Sequence, residues 1–224
     1  MRFRDREDAG KALAALLKDY ISQQDLNLLA IPNGGIPVGL AIQKNLPRNW
    51  TVSLLFVRKL QVPYNPEAGF GAVTLDGSLY LNHTLLSRLH LSDSEIKTSK
   101  KLALQSLERR FRKFEVEQQD KSLLKGRTAI LVDDGLASGY TMLAAAHSIA
   151  GIALATIIAV PTASENAIQL IESKAKAKVL CPDVRSGPFF AVADAYAYWS
   201  DISDEEAVKA IRMSQKNKIR VSGF

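Results

Sequence analysis

The run AILVDDGLASGYTM, residues Ala129 to Met142, limits the possible folds more than any other stretch of the chain. Residues Ala129 to Asp133 read as a buried strand. Two adjacent carboxylates, Asp133 and Asp134, follow at its end, then a loop of Gly, Ala and Ser, then an apolar helical run from about Thr141 to Ile149. A strand with no polar alternation has both faces covered, which points to a parallel sheet between layers of helices. The acidic pair is harder to account for. Neighbouring like charges repel, and a turn needs only one aspartate.

The rest of the chain repeats the same unit. Helical spacing runs from Asp8 to Ser22, with Leu13, Leu16, Leu17 and Tyr20 on one side, and Leu26 to Ile31 is a short apolar strand. IPNGGIPVG leads from that strand into a helix over Val38 to Lys44. Val52 to Val57 is a strand closed by Arg58 and Lys59, and LQVPYNPEAGFGA reads as loop by composition. VTLDGSLYL carries a hairpin signal at Asp76-Gly77. Ser94 to Gln118 has the pattern of one long helix, capped by Ser92 or Asp93. Ala155 to Val160 is a strand, Glu165 to Lys174 a helix and Lys178 to Cys181 a short strand. From Asp183 the alternation stops, and the tail reads as a lid or cap.

The 224 residues suffice for one large domain, and no run of 18 apolar residues marks a membrane span. The charged start MRFRDREDAGKALAALL lacks the apolar core of an export signal, and a lone cysteine, Cys181, rules out a disulfide within the chain. A reducing, cytoplasmic setting is the expectation. A net charge of +6 suits an anionic partner, either nucleic acid or a phosphorylated small molecule. Basic residues gather between Lys97 and Arg127, but Glu108, Glu115, Glu117 and Asp120 interleave, which is the pattern of a solvated helix face.

In open parallel sheets ligands bind at the carboxyl ends of the strands. Three such ends carry chemistry here: Pro32-Asn33-Gly34-Gly35, Arg58-Lys59, and Asp133-Asp134 with the loop Gly135 to Thr141. Two of them are glycine-bearing loops entering helices, where backbone N–H groups and the helix dipole favour an anion. The reading is two anion pockets with a carboxylate pair between them, the pair suited to sugar hydroxyls or a bound Mg²⁺. The loop lacks a lysine after Gly139, so it is no Walker motif, and Ser138 stands directly before Gly139, so it is no hydrolase elbow. His83, His90 and His147 lack metal-site spacing, and Cys181 reads as a buried structural thiol.

ILVDDGLASGYTM resembles the signature of type I phosphoribosyltransferases, and IPNGG, VRKL, NPEAGFGAV and PFFAV followed by SDEEA extend the likeness to an uncharacterised branch of that family. The resemblance implies an α/β fold: a mostly parallel central sheet with helices on both faces, an inserted β-hairpin and a small C-terminal hood. It implies a single domain over 1–224, with the core over about 1–182 and the hood or tail over about 183–224. The implied activity is that of a pentosyltransferase of nucleotide salvage. It would move the 5-phosphoribosyl group from 5-phosphoribosyl-1-pyrophosphate (PRPP) to a nitrogenous acceptor and release pyrophosphate.

Carried over by position, Asp133 and Asp134 would hold the ribose hydroxyls. The loop Gly135, Leu136, Ala137, Ser138, Gly139, Tyr140 and Thr141 would hold the 5′-phosphate. Asn33, Gly34 and Gly35, with Arg58 or Lys59 beside them, would meet pyrophosphate, and residues 61–80 would be the family's mobile loop and hairpin. Phe189, Phe190 or Trp199 of the hood would stack on a base. Mg²⁺ would be held mainly by PRPP and water, with Asp133 or Asp134 within reach. PRPP and an unidentified acceptor are the implied partners, with a homodimer left open, no membrane role, and nucleic acid a partner only in the regulatory alternative.

Three positions depart from the family pattern. Asn33 stands where many relatives have arginine, and Tyr140 replaces a small residue, with its ring expected to point outward. Ala137 stands where members acting on 6-oxopurines carry a third acid. A PRPP- or nucleotide-sensing regulator on the same fold, its positive charge serving RNA or DNA binding, and another phosphate-ester enzyme, are the alternatives.

Overall fold

The computed structural model describes residues 2–18, 26–46, 51–118, 120–187, 190–216 and 221–224. Its elements follow in chain order: α1 (Arg6–Leu17), β1 (Leu26–Ala30), α2 (Gly35–Lys44), β2 (Thr51–Leu54), β3 (Val57–Val62), β4 (Asn65–Thr74) and β5 (Leu79–Leu81). Next come α3 (His83–Leu89), α4 (Asp93–Phe114), β6 (Glu117–Gln118), β7 (Thr128–Val132), α5 (Tyr140–Ile149), β8 (Ala155–Ala159) and β9 (Thr162–Ser164). The chain closes with α6 (Glu165–Ala175), β10 (Lys178–Leu180), β11 (Asp183–Arg185), α7 (Asp204–Lys216) and β12 (Val221–Gly223).

A seven-stranded sheet in the order β10-β8-β7-β1-β2-β12-β6 forms the frame, and each of its neighbouring pairs is parallel. Its central strands are apolar throughout because both faces are covered. Leu28 and Ala30, Ile130 and Val132, Ile157 and Ala159 enter one core with α1, α2, α4 and α7 residues. Leu29, Ala129 and Leu131, and Ile158 enter the other with α5 and α6. That is the two-residue period of a strand, read on two covered faces.

Several boundaries differ from the sequence reading. The strand over Val52 to Val57 leaves the central sheet at Leu54, so Arg58 and Lys59 do not close it. They lie inside β3, in a separate antiparallel sheet β3-β4-β5. The stretch 60–72, loop by composition, supplies two strands of that sheet. Pro63 and Tyr64 make the turn, and pairing slips at Leu60/Gln61 and Gln61/Val62. Gly71 sits where the Tyr80 carbonyl leaves no room for a Cβ, so here glycine marks close packing. The Asp76-Gly77 turn forms as expected, with Gly77 at φ +83°.

The first helix begins at Arg6 because Asp5 caps it by accepting from the Asp8 N–H at 2.9 Å. It runs to Leu17, and residues 19–22 of the expected helix lie outside the described ones. Ser92 caps α4 in a reciprocal box with Glu95, and the helix stops at Phe114, where Glu115 takes φ +52°. The expected hood over 183–224 is smaller than that, since α7 packs beside α2 and α4 and β12 pairs between β2 and β6. What remains above the strand ends, among the described residues, is 183–187 and 190–203. It is stitched to the first residues by Phe3 N–H to Ala195 O and Ala197 N–H to Phe3 O, both 2.7 Å, and by Tyr198 N–H to Arg4 O at 2.9 Å.

Candidate active site

The loops after β1 and β7 meet at the carboxyl edge of the sheet. Ile31 N–H donates to Val132 O at 2.9 Å. A Cβ on Gly34 would overlap the Asp134 carboxylate, and one on Gly35 would overlap Val132 O. Both glycines therefore let the first loop close on the acid pair.

Each loop opens a helix that no side chain caps. Gly34 and Gly139 are the N-caps of α2 and α5, without a side-chain hydrogen bond. The other five helices are capped by Asp5, Asn82, Ser92, Ser164 and Ser203. First-turn N–H groups have no intrahelical partner. At α5 no side chain supplies one, which leaves them for an incoming anion, whereas at α2 the Gly35 and Ile36 N–H groups already donate to Ile31 O and Asn33 O at 3.0 and 3.1 Å and Pro37 has no N–H.

The acid pair lies between these two helix starts. Asp133 Oδ1 accepts from the Asp134 N–H at 2.9 Å. Burial, and then the charge of Asp134, push the Asp133 carboxyl well above the usual carboxylate range. Burial also raises Asp134, opposed by Arg6. Arg6 Nε donates to Asp134 Oδ2 at 2.8 Å, with only 11% and 15% of the two side chains exposed. Sequence reasoning missed Arg6, because an arginine in a charged first segment carries no pattern that links it to a residue 128 positions away.

A cationic pocket of about 480 Å³ adjoins the first loop, lined by Arg58, Ser106, Arg109, Arg110, Lys113 and Asp204. Arg110 Nε pairs with Asp204 Oδ1 at 3.0 Å. Among the described residues, Arg58 and Arg109 have no carboxylate within ion-pair distance. Burial lowers the Arg58 pKa, and the charges of Arg110 and Arg109 lower it further. The helix face expected to be solvated thus turns several of its cations into a pocket. The interleaved acids do not offset them there, because Glu108 is absent from its lining. Lys59 lies on the adjoining surface with Arg58, Gln61, Ser99 and Arg109.

The Asn33 side chain is turned away from the role expected of it. Its Nδ2 donates to Ile202 O at 2.8 Å and Asp204 Oδ1 at 3.1 Å, which ties the loop to the start of α7. Asn33 Oδ1 is buried and unpartnered among the described residues. The second loop is pinned by Leu136 N–H to Thr162 O at 2.9 Å and Ser164 Oγ to Ala137 O at 2.7 Å, which leaves Ala137 and Ser138 exposed above α5. Thr141 is half-buried in the first turn. Tyr140 does not point outward. Its half-buried ring packs against the core beneath α5.

In the hood, Gly135 lies where a Cβ would overlap Val192, and Tyr196 Oη donates to Asp134 O at 2.6 Å. Trp199 already stacks on the Arg6 guanidinium at 4.0 Å, so that face is taken. Phe190 is half-buried, and Phe189 lies outside the described residues. Asp183 accepts from Thr162 Oγ1 at 2.8 Å and Arg185 Nε at 2.7 Å, and Asp194 is exposed.

An open parallel sheet whose carboxyl edge holds a carboxylate pair between two uncapped, glycine-led helices defines a class of α/β domains that take a phosphorylated ligand at the strand ends. The family model described as "Phosphoribosyl transferase domain" matches residues 3–196, and the chain belongs to that family. Two Mycobacterium tuberculosis proteins, each provisionally named a phosphoribosyl transferase, are 35% identical over 207 residues, or 92% of this chain. The chain spans 45% of the length of these relatives. Among solved structures, TT1426 of Thermus thermophilus is similar at TM-score 0.77 and 29% identity, covering 94% of this chain and 97% of that one. The Aquifex aeolicus protein AQ2163 shares the fold at TM-score 0.50 and 15% identity, covering 81% and 75%.

Proposed function

We propose that this domain transfers the 5-phosphoribosyl group of PRPP to a nitrogenous acceptor and releases pyrophosphate. The observation that carries this reading is the pairing of the two uncapped helix starts with the acid pair between them. PRPP has the matching layout, with a phosphate at one end, a pyrophosphate at the other and a diol between. In this reading the ribose hydroxyls donate to Asp133 and Asp134. The 5′-phosphate takes the N–H groups of Ala137 to Thr141 with the Ser138 and Thr141 hydroxyls. Pyrophosphate lies against Asn33, Gly34 and Gly35, with Arg58 and Arg109 supplying the charge that Asn33 lacks.

The C1–O bond to pyrophosphate breaks as a C1–N bond forms from the opposite face. Positive charge grows on the ribose ring and negative charge on the leaving group. The protein's work is to hold both ends in line and to meet that charge with fixed groups. Arg58 and Arg109 stabilise the leaving group, and the acid pair favours the cationic ring.

Mg²⁺, which the family implies, would neutralise part of the pyrophosphate charge when bound. Among the described residues no three His, Cys, Asp or Glu side chains are grouped as a metal cage. In this reading the metal would be held chiefly by phosphate oxygens and water, with Asp133, the acid not already committed to Arg6, within reach.

The test is acceptor-dependent pyrophosphate release from PRPP and Mg²⁺ across adenine, uracil, orotate, hypoxanthine, guanine and small amines. One acceptor yielding nucleotide and pyrophosphate in equal amounts supports transfer. Tight PRPP binding with no turnover on any acceptor would replace transfer with the sensing role.

A further inference from the structure

We infer that Arg6 is a positioning residue of the sugar site. Its one guanidinium sets the Asp134 carboxylate and seats the hood over the site in a single arrangement. The inference rests on the proposed sugar-phosphate site and adds a residue to it from the first helix.

Arg6 has three simultaneous engagements. Nε donates to Asp134 Oδ2 at 2.8 Å, Nη1 donates to Ser200 O at 2.9 Å, and the guanidinium plane lies 4.0 Å from the Trp199 ring centroid. Tyr196, 5.8 Å from the same guanidinium, closes the circuit by donating its hydroxyl to Asp134 O at 2.6 Å. A planar guanidinium can bridge carboxylate, carbonyl and aromatic face together, and a lysine ammonium cannot.

Helix stability does not explain an arginine at this place. The first turn of α1 also holds Glu7 and Asp8, which suit the positive end of the helix dipole, whereas a cation there is disfavoured. Arg6 is kept at that unfavourable end, nearly buried, against a buried acid. The Gly34 backbone also lies so close to that acid that a Cβ would overlap the carboxylate, Oδ2 first. Asp134 is therefore confined by Arg6, which holds Oδ2, and by the close Gly34 backbone. Loss of Arg6 would free the carboxylate to rotate and would release Ser200 and Trp199 from the site's edge.

The experiment is a double-mutant cycle on ligand affinity. Arg6→Gln, Arg6→Lys, Asp134→Asn and the double variant Arg6→Gln/Asp134→Asn are titrated with ribose 5-phosphate and with PRPP plus Mg²⁺. Thermal unfolding and the KM-against-kcat split are recorded beside them. Each Gln or Asn single variant is expected to weaken both ligands at least tenfold. The double variant should be no more than about threefold worse than the weaker single one, because Arg6 acts through Asp134. Arg6→Lys should recover thermal stability more fully than affinity. In turnover, the loss should fall on the KM for PRPP, with kcat changed less.

Multiplying penalties, or affinity for Arg6→Gln within twofold of wild type, would overturn the inference and leave Arg6 a simple strap. Wild-type turnover with an unaffected Arg6→Gln overturns the positioning role alone. Ribose 5-phosphate binding that obeys the cycle without any turnover overturns the transfer reading alone. Absence of binding by the wild type overturns both.

Discussion

Asp133 and Asp134 are adjacent in sequence and differ in environment. Asp134 has a guanidinium partner and Asp133 does not, so the unfavourable charge is concentrated on Asp133. A carboxyl raised above its unfolded value holds its proton more tightly when folded, so stability falls as pH rises past the unfolded value. Ionising Asp133 therefore costs stability. Asp133→Asn keeps an acceptor for the Asp134 N–H and removes the charge. Its melting temperature at pH 7 is expected to match or exceed wild type. Its affinity for ribose 5-phosphate should fall about 10- to 100-fold, the scale of a lost hydrogen bond to a charged group. A variant that melts earlier yet binds normally would make Asp133 a strand cap.

The acceptor prediction also belongs at this scale. Ala137 is exposed beside the site, and its methyl can neither donate nor accept a proton. General acid–base help, commonly about 10²- to 10⁴-fold, is absent at that position. Of the hood carboxylates, Asp183 is occupied by Thr162 and Arg185, and Asp194 is exposed. Hypoxanthine and guanine are therefore expected to be poor acceptors in a comparison of kcat/KM with adenine, uracil and orotate. A tenfold preference for either 6-oxopurine would contradict this.

Among the elements, the central strands and the helices after them were readable because their signal is local: runs of apolar residues, caps and glycines. The antiparallel sheet was not. Its β3–β4 hairpin contains Pro63, Gly69 and Gly71, which local rules score as loop and which the fold uses at a turn and at close contacts. The turning of α4 was not legible either, because which face of a charged helix meets a pocket depends on where β3 and α7 pack. If that pocket takes pyrophosphate, Arg58→Ala with Arg109→Ala should weaken PRPP and inorganic pyrophosphate at least tenfold and leave ribose 5-phosphate within about twofold. Equal losses for the sugar phosphate would place the pocket elsewhere in function.

A second element-scale test concerns the β4–β5 turn. Burial works against ionisation of Asp76, yet hydrogen bonds from Lys121, Thr74 and Ser78 hold its carboxyl at about 2, below the usual 3.8. A lowered carboxyl adds stability above its unfolded value and loses it as pH falls from about 4 through 2. With 41% of the side chain exposed, the contribution is about 1 kcal/mol. Asp76→Asn should therefore lower stability by about that amount at pH 7 and by almost nothing at pH 2, measured by urea unfolding at both.

At the scale of the whole molecule, the parallel sheet brings residues far apart in sequence to one edge: Arg6 from the first helix, Gly34 after β1, Arg58 in β3, Arg109 in α4, Asp133 after β7 and Trp199 in the hood. Sequence reading found the members that sit in motifs. It missed Arg6 and Arg109, whose neighbours are set by how distant elements pack and not by local pattern. The hood boundary was unreadable for the same reason, since β12 returns to the middle of a sheet whose other strands end far earlier in sequence.

In the proposed reading one PRPP molecule spans this edge, with phosphate at the α5 start, diol at the acid pair and pyrophosphate at the α2 start. The most direct test is a calorimetric titration of the wild-type chain with PRPP and Mg²⁺, repeated with ribose 5-phosphate and with pyrophosphate as competitors. One PRPP per chain is expected, displaced by either half-ligand, with the two halves able to bind together. Absence of PRPP binding, or displacement by neither half, would contradict it.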